Sequence, residues 1–410
     1  METTNPLVKM NKAGTIADSA SFEGRGLEDT LRPPSSTPHL EYIDALRGVA
    51  CLAVMMHHSF ILTPPPLAPH GWLRVLYSFA DMGWLGVHLF LVLSGFCLFY
   101  PLAKKSPVAS IRLDIADFAR RRARRILPPY YAALLLFVGL AIAGQILHNA
   151  PIFSAFAGIK DIVLHVVLLQ NLLPSTLGSI DPPMWSLALE CQLYVCFPLF
   201  VYVAAKFGPG WLLLASFCLS VFWQAGCYCE LGSHPEWHVF ATCFYALPGR
   251  CFEFVSGMIA AVLVAKPVSG QRRLAFGIII GMIIPAVYLS RQQIQYFPTR
   301  DQMWGGIFAA IVVLLSTPVL ANLFRKRNLL GVFTGLGIFS YSTYLIHEPI
   351  MTLLTPERFG FKTTTEFRVL VFTLLRILLV LLIAFAFFWL IERPFISKKR
   401  KATTIRIGDS

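Results

Sequence analysis

Ionisable residues lie inside stretches that are otherwise apolar, and their chemistry is what the sequence has to account for. The first such stretch opens Glu41-Tyr42-Ile43-Asp44-Ala45-Leu46-Arg47 and closes on His57-His58-Ser59. On a helix, the separation of Arg47 and His58 is a net turn of about 20° and a rise of about 16 Å, so the two share a face. Asp44 falls within about 60° of both, and His57 points about 100° away from His58. A neutral imidazole there can act as a general base near neutral pH. A guanidinium beside it can stabilise an oxyanion or a polarised carbonyl. The same spacing equally fits an Asp44–Arg47 pair that fixes the helix end while His58 packs against a neighbour. Cys51 also falls on the His58 face, where a thiol could take up a group covalently.

A second constellation is Arg120-Arg121-Arg122-Ala123-Arg124-Arg125, followed by Pro128-Pro129. Such a run serves either as an anchor against anionic lipid or as a site for phosphate, which arginine grips through several fixed donors. Trp185-Ser186-Leu187-Ala188-Leu189-Glu190 puts Ser186 and Glu190 one helical turn apart. Arg250 and Glu253 can pair as helix neighbours. Tyr341-Ser342-Thr343-Tyr344-Leu345-Ile346-His347-Glu348 sets a histidine next to a carboxylate. An ionisable group deep in a membrane span costs about 2.5–3.5 kcal/mol, so together these residues point to a polar cavity. No set of His, Cys and acidic residues has metal-ligand spacing, and no metal is implied.

The elements that must position these residues are membrane helices. Of 410 residues, 56% are apolar and only 14% charged, with a mean hydropathy of +0.63. A soluble domain carries roughly 25% charged residues, and a span needs roughly 20 apolar residues in a row. The expected fold is therefore all-α and polytopic, with about ten spans near 43–62, 84–101, 128–147, 185–205, 211–229, 243–265, 274–290, 302–321, 333–355 and 369–392. The apolar stretch 161–173 is too short for a simple span and is expected to be interfacial or re-entrant on the external side. With that assignment, 25 of the 35 Lys and Arg residues fall on the side of both termini, which the positive-inside rule makes cytoplasmic. Arg47, Arg250 and Arg376 lie within spans. The net charge of +13 thus reflects topology, not nucleic-acid binding.

Residues 1–39 are polar and read as a disordered cytoplasmic tail, residues 40–396 as the membrane domain, and 397–410 as a basic tail. The first span is expected to be an uncleaved insertion signal. No repeat supports an inverted-repeat transporter. The nine Cys residues mostly fall in spans as packing groups. Cys227, Cys229 and Cys243 flank an external loop where a disulfide can form under oxidising conditions.

These motifs occur in an order that resembles the acyltransferase-3 family of integral-membrane acyltransferases, from about residue 40 to residue 396. Tyr42-Ile43-Asp44-Ala45-Leu46-Arg47-Gly48 is similar to the opening motif, and His58 falls at its Arg-x10-His position. Val87-His88-Leu89-Phe90-Leu91-Val92-Leu93-Ser94-Gly95-Phe96 resembles the second-span signature, and Arg122-Ala123-Arg124-Arg125 the Arg-x-x-Arg motif. Trp185 through Glu190 to Tyr194, Ser340 through Tyr344 to His347, and Glu392-Arg393-Pro394 complete the series. The resemblance implies an O-acyltransferase, with acyl-CoA, chiefly acetyl-CoA, as co-substrate and a carbohydrate or glycosylated acceptor. It also implies a bacterial inner-membrane location within the lipid bilayer. In that setting His58 is the general base, Arg47 the carbonyl or oxyanion donor and Asp44 its orienting partner. Arg122 and Arg125 hold the donor's phosphates. Ser186, Glu190 and His347 serve the substrate or the fold. The rival reading is a transporter or channel that conducts an anionic solute through the same polar core.

Overall fold

Long apolar stretches broken by proline, glycine and charge favour helices, because in lipid every backbone donor and acceptor must be satisfied within its own segment. A computed structural model describes residues 41–62, 71–148, 158–233, 245–291, 298–317, 331–356 and 366–396. Both tails and Cys243 lie outside the described residues. The described helices belong to one compact unit, Ser35–Ser397.

Helix α1 runs Glu41–Ile61. Helix α2, Gly71–Asp81, continues through a 3-10 turn into α3, Leu85–Lys105. Next come α4, Ile115–His148, and the short α5, Ile159–Val166. Helices α6, Met184–Phe207, and α7, Pro209–Ser233, are followed by α8, Leu247–Ala265, and α9, Gln271–Arg291. The series closes with α10, Arg300–Leu315; α11, Gly331–Ile338; α12, Ser340–Leu353; and α13, Glu366–Phe387, which ends in a π-helical turn at Phe388–Glu392. No strand occurs among the described residues.

Seven of these helical runs are long and apolar enough to cross a bilayer, and the protein is a multi-pass membrane protein. They match seven of the ten stretches read from the sequence. The other three differ for identifiable reasons. Helix α1 has the length, 21 residues, but carries Glu41, Asp44, Arg47 and two histidines. Helix α10 has 16 residues. The stretch 333–355 is interrupted at Phe339, where ψ turns to 19°. The new helix start is capped by Glu392, whose Oε2 accepts from the Ser342 backbone N–H at 3.2 Å and from its hydroxyl at 2.5 Å. A carboxylate at a helix N-terminus satisfies otherwise unpaired donors.

The stretch 161–173 does not span. Helix α5 holds only 8 residues, about 12 Å of rise. The chain then folds back through turns at Gln170–Leu172 and Pro174–Leu177. Polar side chains pin it in place. Gln170 donates to the Met184 carbonyl at 2.9 Å, Asn171 donates to the Tyr245 carbonyl at 3.1 Å, and Gln192 reaches up to the Leu168 carbonyl at 3.1 Å. Gln192 is more than two turns inside α6, so the segment folds back along that helix.

Two crossings set the bundle. On α3, a Cβ at Gly95 would meet the Phe254 carbonyl of α8 at 1.9 Å, and one at Gly257 would meet the Val92 carbonyl at 1.9 Å. On α1 and α11, Gly48 and Gly337 make the same close approach. Small residues that let backbones touch are the usual device for helix association in lipid. Around the first crossing pack Phe96, Phe99, Leu193, Phe197, Phe254 and Met258, all nearly inaccessible.

Candidate functional site

The three arginines within spans belong to three separate groups of polar residues. Arg376 on α13 donates through Nε to the Ser59 hydroxyl at 3.1 Å and is a tether between α13 and α1. Arg250 joins a buried network. Its Nε lies 2.8 Å from Glu253, and its Nη1 donates to Asp301 at 3.1 Å. His88 contacts the same Glu253, and Gln224 donates to Asp301 at 3.0 Å. The expected Arg250–Glu253 pair is therefore present, held across α3, α7, α8 and α10.

The third group is Arg47, which lines a narrow cavity of 70 Å³ with Arg122, Arg125, Ser94, Glu190 and Tyr194. The basic run divides here. Arg122 and Arg125 are half-buried and line the cavity, whereas Arg120, Arg121 and Arg124 are exposed. Arg121 pairs with Asp117 on the outer face of α4. Helical geometry does the sorting, because residues three apart return to one face. At the cavity wall Ser94 donates to Glu190 Oε1 at 2.5 Å, and the Tyr194 hydroxyl donates to the same oxygen. Ser186, one turn before Glu190, exchanges a 2.6 Å hydrogen bond with the Tyr344 hydroxyl.

His58 opens into a different and larger cavity of 940 Å³. Its Nδ1 lies 2.9 Å from Glu348 Oε2, with the carboxylate off the axis of a directed hydrogen bond. His347 stands behind it, 5.0 Å between ring centroids. The His347 Nδ1 sits 2.8 Å from the Tyr344 carbonyl, which requires Nδ1 to carry the proton. The two cavities share the walls Val87 and Tyr344. Arg47 and His58 thus lie on one stripe of α1 but serve separate chambers, three helical turns apart. Asp44 lines neither chamber, and its backbone carbonyl lies against Gly337. Cys51 is buried, lines neither chamber and directs its Sγ at the Ser340 carbonyl, 3.8 Å away. Cys227 is buried and Cys229 exposed near the end of α7.

Asp181, in the loop before α6, escaped the sequence reading. Its carboxyl is buried and neither oxygen has a hydrogen-bond partner. Burial, and then the charge of Glu348, hold this group well above the usual carboxylate range. The preceding Ile180 has φ of 64°, a strained value for a β-branched residue. No local pattern signals such a site, since it depends on the loop folding back. Among the described residues no cluster fit to hold a metal is found.

A helical membrane bundle with a buried arginine chamber and a separate histidine–carboxylate chamber defines the class. The acyltransferase-domain family model matches residues 40–393, and the chain belongs to that family. It is 27% identical over 361 residues to the peptidoglycan O-acetyltransferase OatA of Listeria monocytogenes, covering 78% of this chain and 51% of that protein. It is 26% identical to the putative peptidoglycan O-acetyltransferase YrhL of Bacillus subtilis, covering 78% and 50%. A putative acetyltransferase of Acidianus two-tailed virus is 25% identical, covering 81% and 89%. The chain spans about half the length of the first two relatives. No solved structure matches it.

Proposed function

We propose that the protein is a membrane-bound O-acetyltransferase that moves an acetyl group from acetyl-CoA to a hydroxyl of a carbohydrate or glycosylated acceptor. The observation that carries this reading is the division of the polar interior into two chambers meeting at Val87 and Tyr344. One is lined by Arg47, Arg122 and Arg125 beside the basic loop, and the other holds His58 and Glu348 at the far end of α1. The positive-inside rule assigns the arginine chamber to the cytoplasm, where acyl-CoA is found, and the histidine chamber to the outside. The names of the relatives, peptidoglycan O-acetyltransferases, support acetyl as the group and a bacterial plasma membrane as the setting.

In this mechanism Arg122 and Arg125 bind the donor phosphates, and Arg47, oriented by Asp44 one turn away, faces the thioester carbonyl as the donor is loaded. Glu348 holds the Nδ1 side of His58, which leaves Nε2 for the substrate. The thioester end of the loaded donor then passes Val87 and Tyr344 into the histidine chamber, where His58 takes the proton of the acceptor hydroxyl and the oxygen attacks the thioester carbon. The carbon–sulfur bond breaks, and the thiolate leaves with the proton returned from His58. Arg47 acts on the donor side of the partition. Its distance from His58 along α1 separates it from the hydroxyl under activation. Glu190, bonded to Ser94 and Tyr194, shapes the donor chamber. Val87 and Tyr344, the latter held by Ser186, form the partition, and His347 packs behind the base.

The test uses purified protein in nanodiscs with labelled acetyl-CoA and a cell-envelope glycan fraction. CoA release with label incorporation, both lost in a folded His58→Ala protein, is the expected result. Solute flux in proteoliposomes without any CoA release sinks the proposal in favour of a transporter.

A further inference from the structure

The larger chamber has a wall that the transfer chemistry does not use. Beside His58 and Glu348 it is lined by Trp84, Trp185 and Tyr245, together with Arg250, Arg300 and Asp301. The aromatic rings are held at set angles. Trp84 stands edge-on to His88 with 5.1 Å between centroids and carries the Arg300 guanidinium 4.6 Å from its ring centre. Trp185 lies against Tyr245 with 4.5 Å between centroids. The cations on this wall are already paired. Arg250 is held by Glu253 and Asp301, and Arg300 by Asp301 at 2.9 Å. The wall therefore combines flat apolar faces with polar atoms whose charges cancel locally.

Such a surface suits an uncharged polyhydroxylated ring. The ring's C–H face lies on an indole while its hydroxyls exchange hydrogen bonds with the ionic network. An acidic sugar calls for an unpaired guanidinium, and both guanidiniums here are paired. At 940 Å³ the chamber is near the top of the range of about 300–1,000 Å³ for small-molecule sites, more than a single sugar ring needs. The chain that folds back after α5 forms part of the enclosure through Pro174, Leu177 and Pro182. We propose that Trp84, Trp185 and Tyr245 form the acceptor subsite and that it takes an uncharged oligosaccharide. This rests on the carbohydrate-acceptor reading above but concerns binding, which is measurable without turnover.

Calorimetric titration of the full chain in nanodiscs tests it, with three tetrasaccharides as probes: N-acetylglucosamine (uncharged), glucosamine (cationic) and galacturonic acid (anionic). The uncharged tetramer is expected to bind at least about tenfold more tightly than either charged one. Trp84→Leu is expected to weaken it about tenfold, the scale of one lost aromatic face. Trp84→Phe, which keeps an aromatic ring, restores most of the binding and separates this loss from misfolding. His58→Ala keeps the binding while abolishing transfer, so failure of the catalytic assignment stays distinguishable. Absence of binding by the uncharged tetramer overturns the proposal. So does equal binding of a charged one, or binding that neither Trp84→Leu nor Trp185→Leu alters.

Discussion

Replacing Glu348 by Gln keeps the size of the side chain beside His58 and removes only its charge. If His58 is the base, the imidazolium formed during proton transfer loses its counter-charge, and the loss falls on the transition state. Opposite unit charges about 4 Å apart interact by about 4 kcal/mol at an effective dielectric of about 20. The observed contact is shorter, 2.9 Å, but the two side chains are 22% and 17% exposed, so solvent screening removes part of the gain. A net loss of about 2–3 kcal/mol remains, roughly 30- to 150-fold in kcat. The KM for acetyl-CoA should hardly move, because the donor binds in the other chamber. Steady-state CoA release and label transfer, with acceptor saturating, separate the two constants. A Glu348→Gln protein with an unchanged kcat, or one whose whole defect lies in the donor KM, would refute the argument.

Four further outcomes follow from other parts of the molecule. Arg122→Ala and Arg125→Ala should each raise the KM for acetyl-CoA roughly tenfold or more, the scale of one charge-assisted hydrogen bond. Arg124→Ala, on the exposed face, should leave it unchanged. Asp181→Asn should raise the melting temperature above about pH 5, measured across a pH series in detergent. The sign follows from linkage: a carboxyl whose value is raised on folding incurs no penalty below the unfolded value. Above it, the unfolded chain releases a proton that the folded chain keeps, and stability is lost by about 1.4 kcal/mol per pH unit until the folded value is reached. Equal pH dependence of the two proteins would contradict this. Gly95→Ala drives a methyl into the Phe254 carbonyl and should lower the melting temperature sharply, while Gly277→Ala, with nothing within 4 Å, should not. Cys51→Ser should keep full transfer, since that thiol lines neither chamber. A dead but folded variant would revive a covalent route.

Much of the fold was readable because lipid imposes strict rules on sequence. The long apolar stretches could only be helices, and seven of them stand as uninterrupted runs. The stretch 161–173 announced by its length that it would not span. The break at Phe339 was invisible, since it depends on Glu392, some fifty positions later, capping the helix that starts anew. The site divides in the same way. Periodicity put Arg47, Asp44 and His58 on one stripe, and it separates Arg122 and Arg125 from their exposed neighbours. What periodicity lacks is the position of other helices. Tertiary packing decided that Arg47 and His58 face different chambers, that Glu348 is the partner of His58, and that a loop carboxyl at Asp181 is buried beside them. Sequence spacing fixes angles and heights along one helix, whereas a cavity is bounded by several, and its walls exist only once the close crossings at Gly95, Gly257, Gly48 and Gly337 have set their distances.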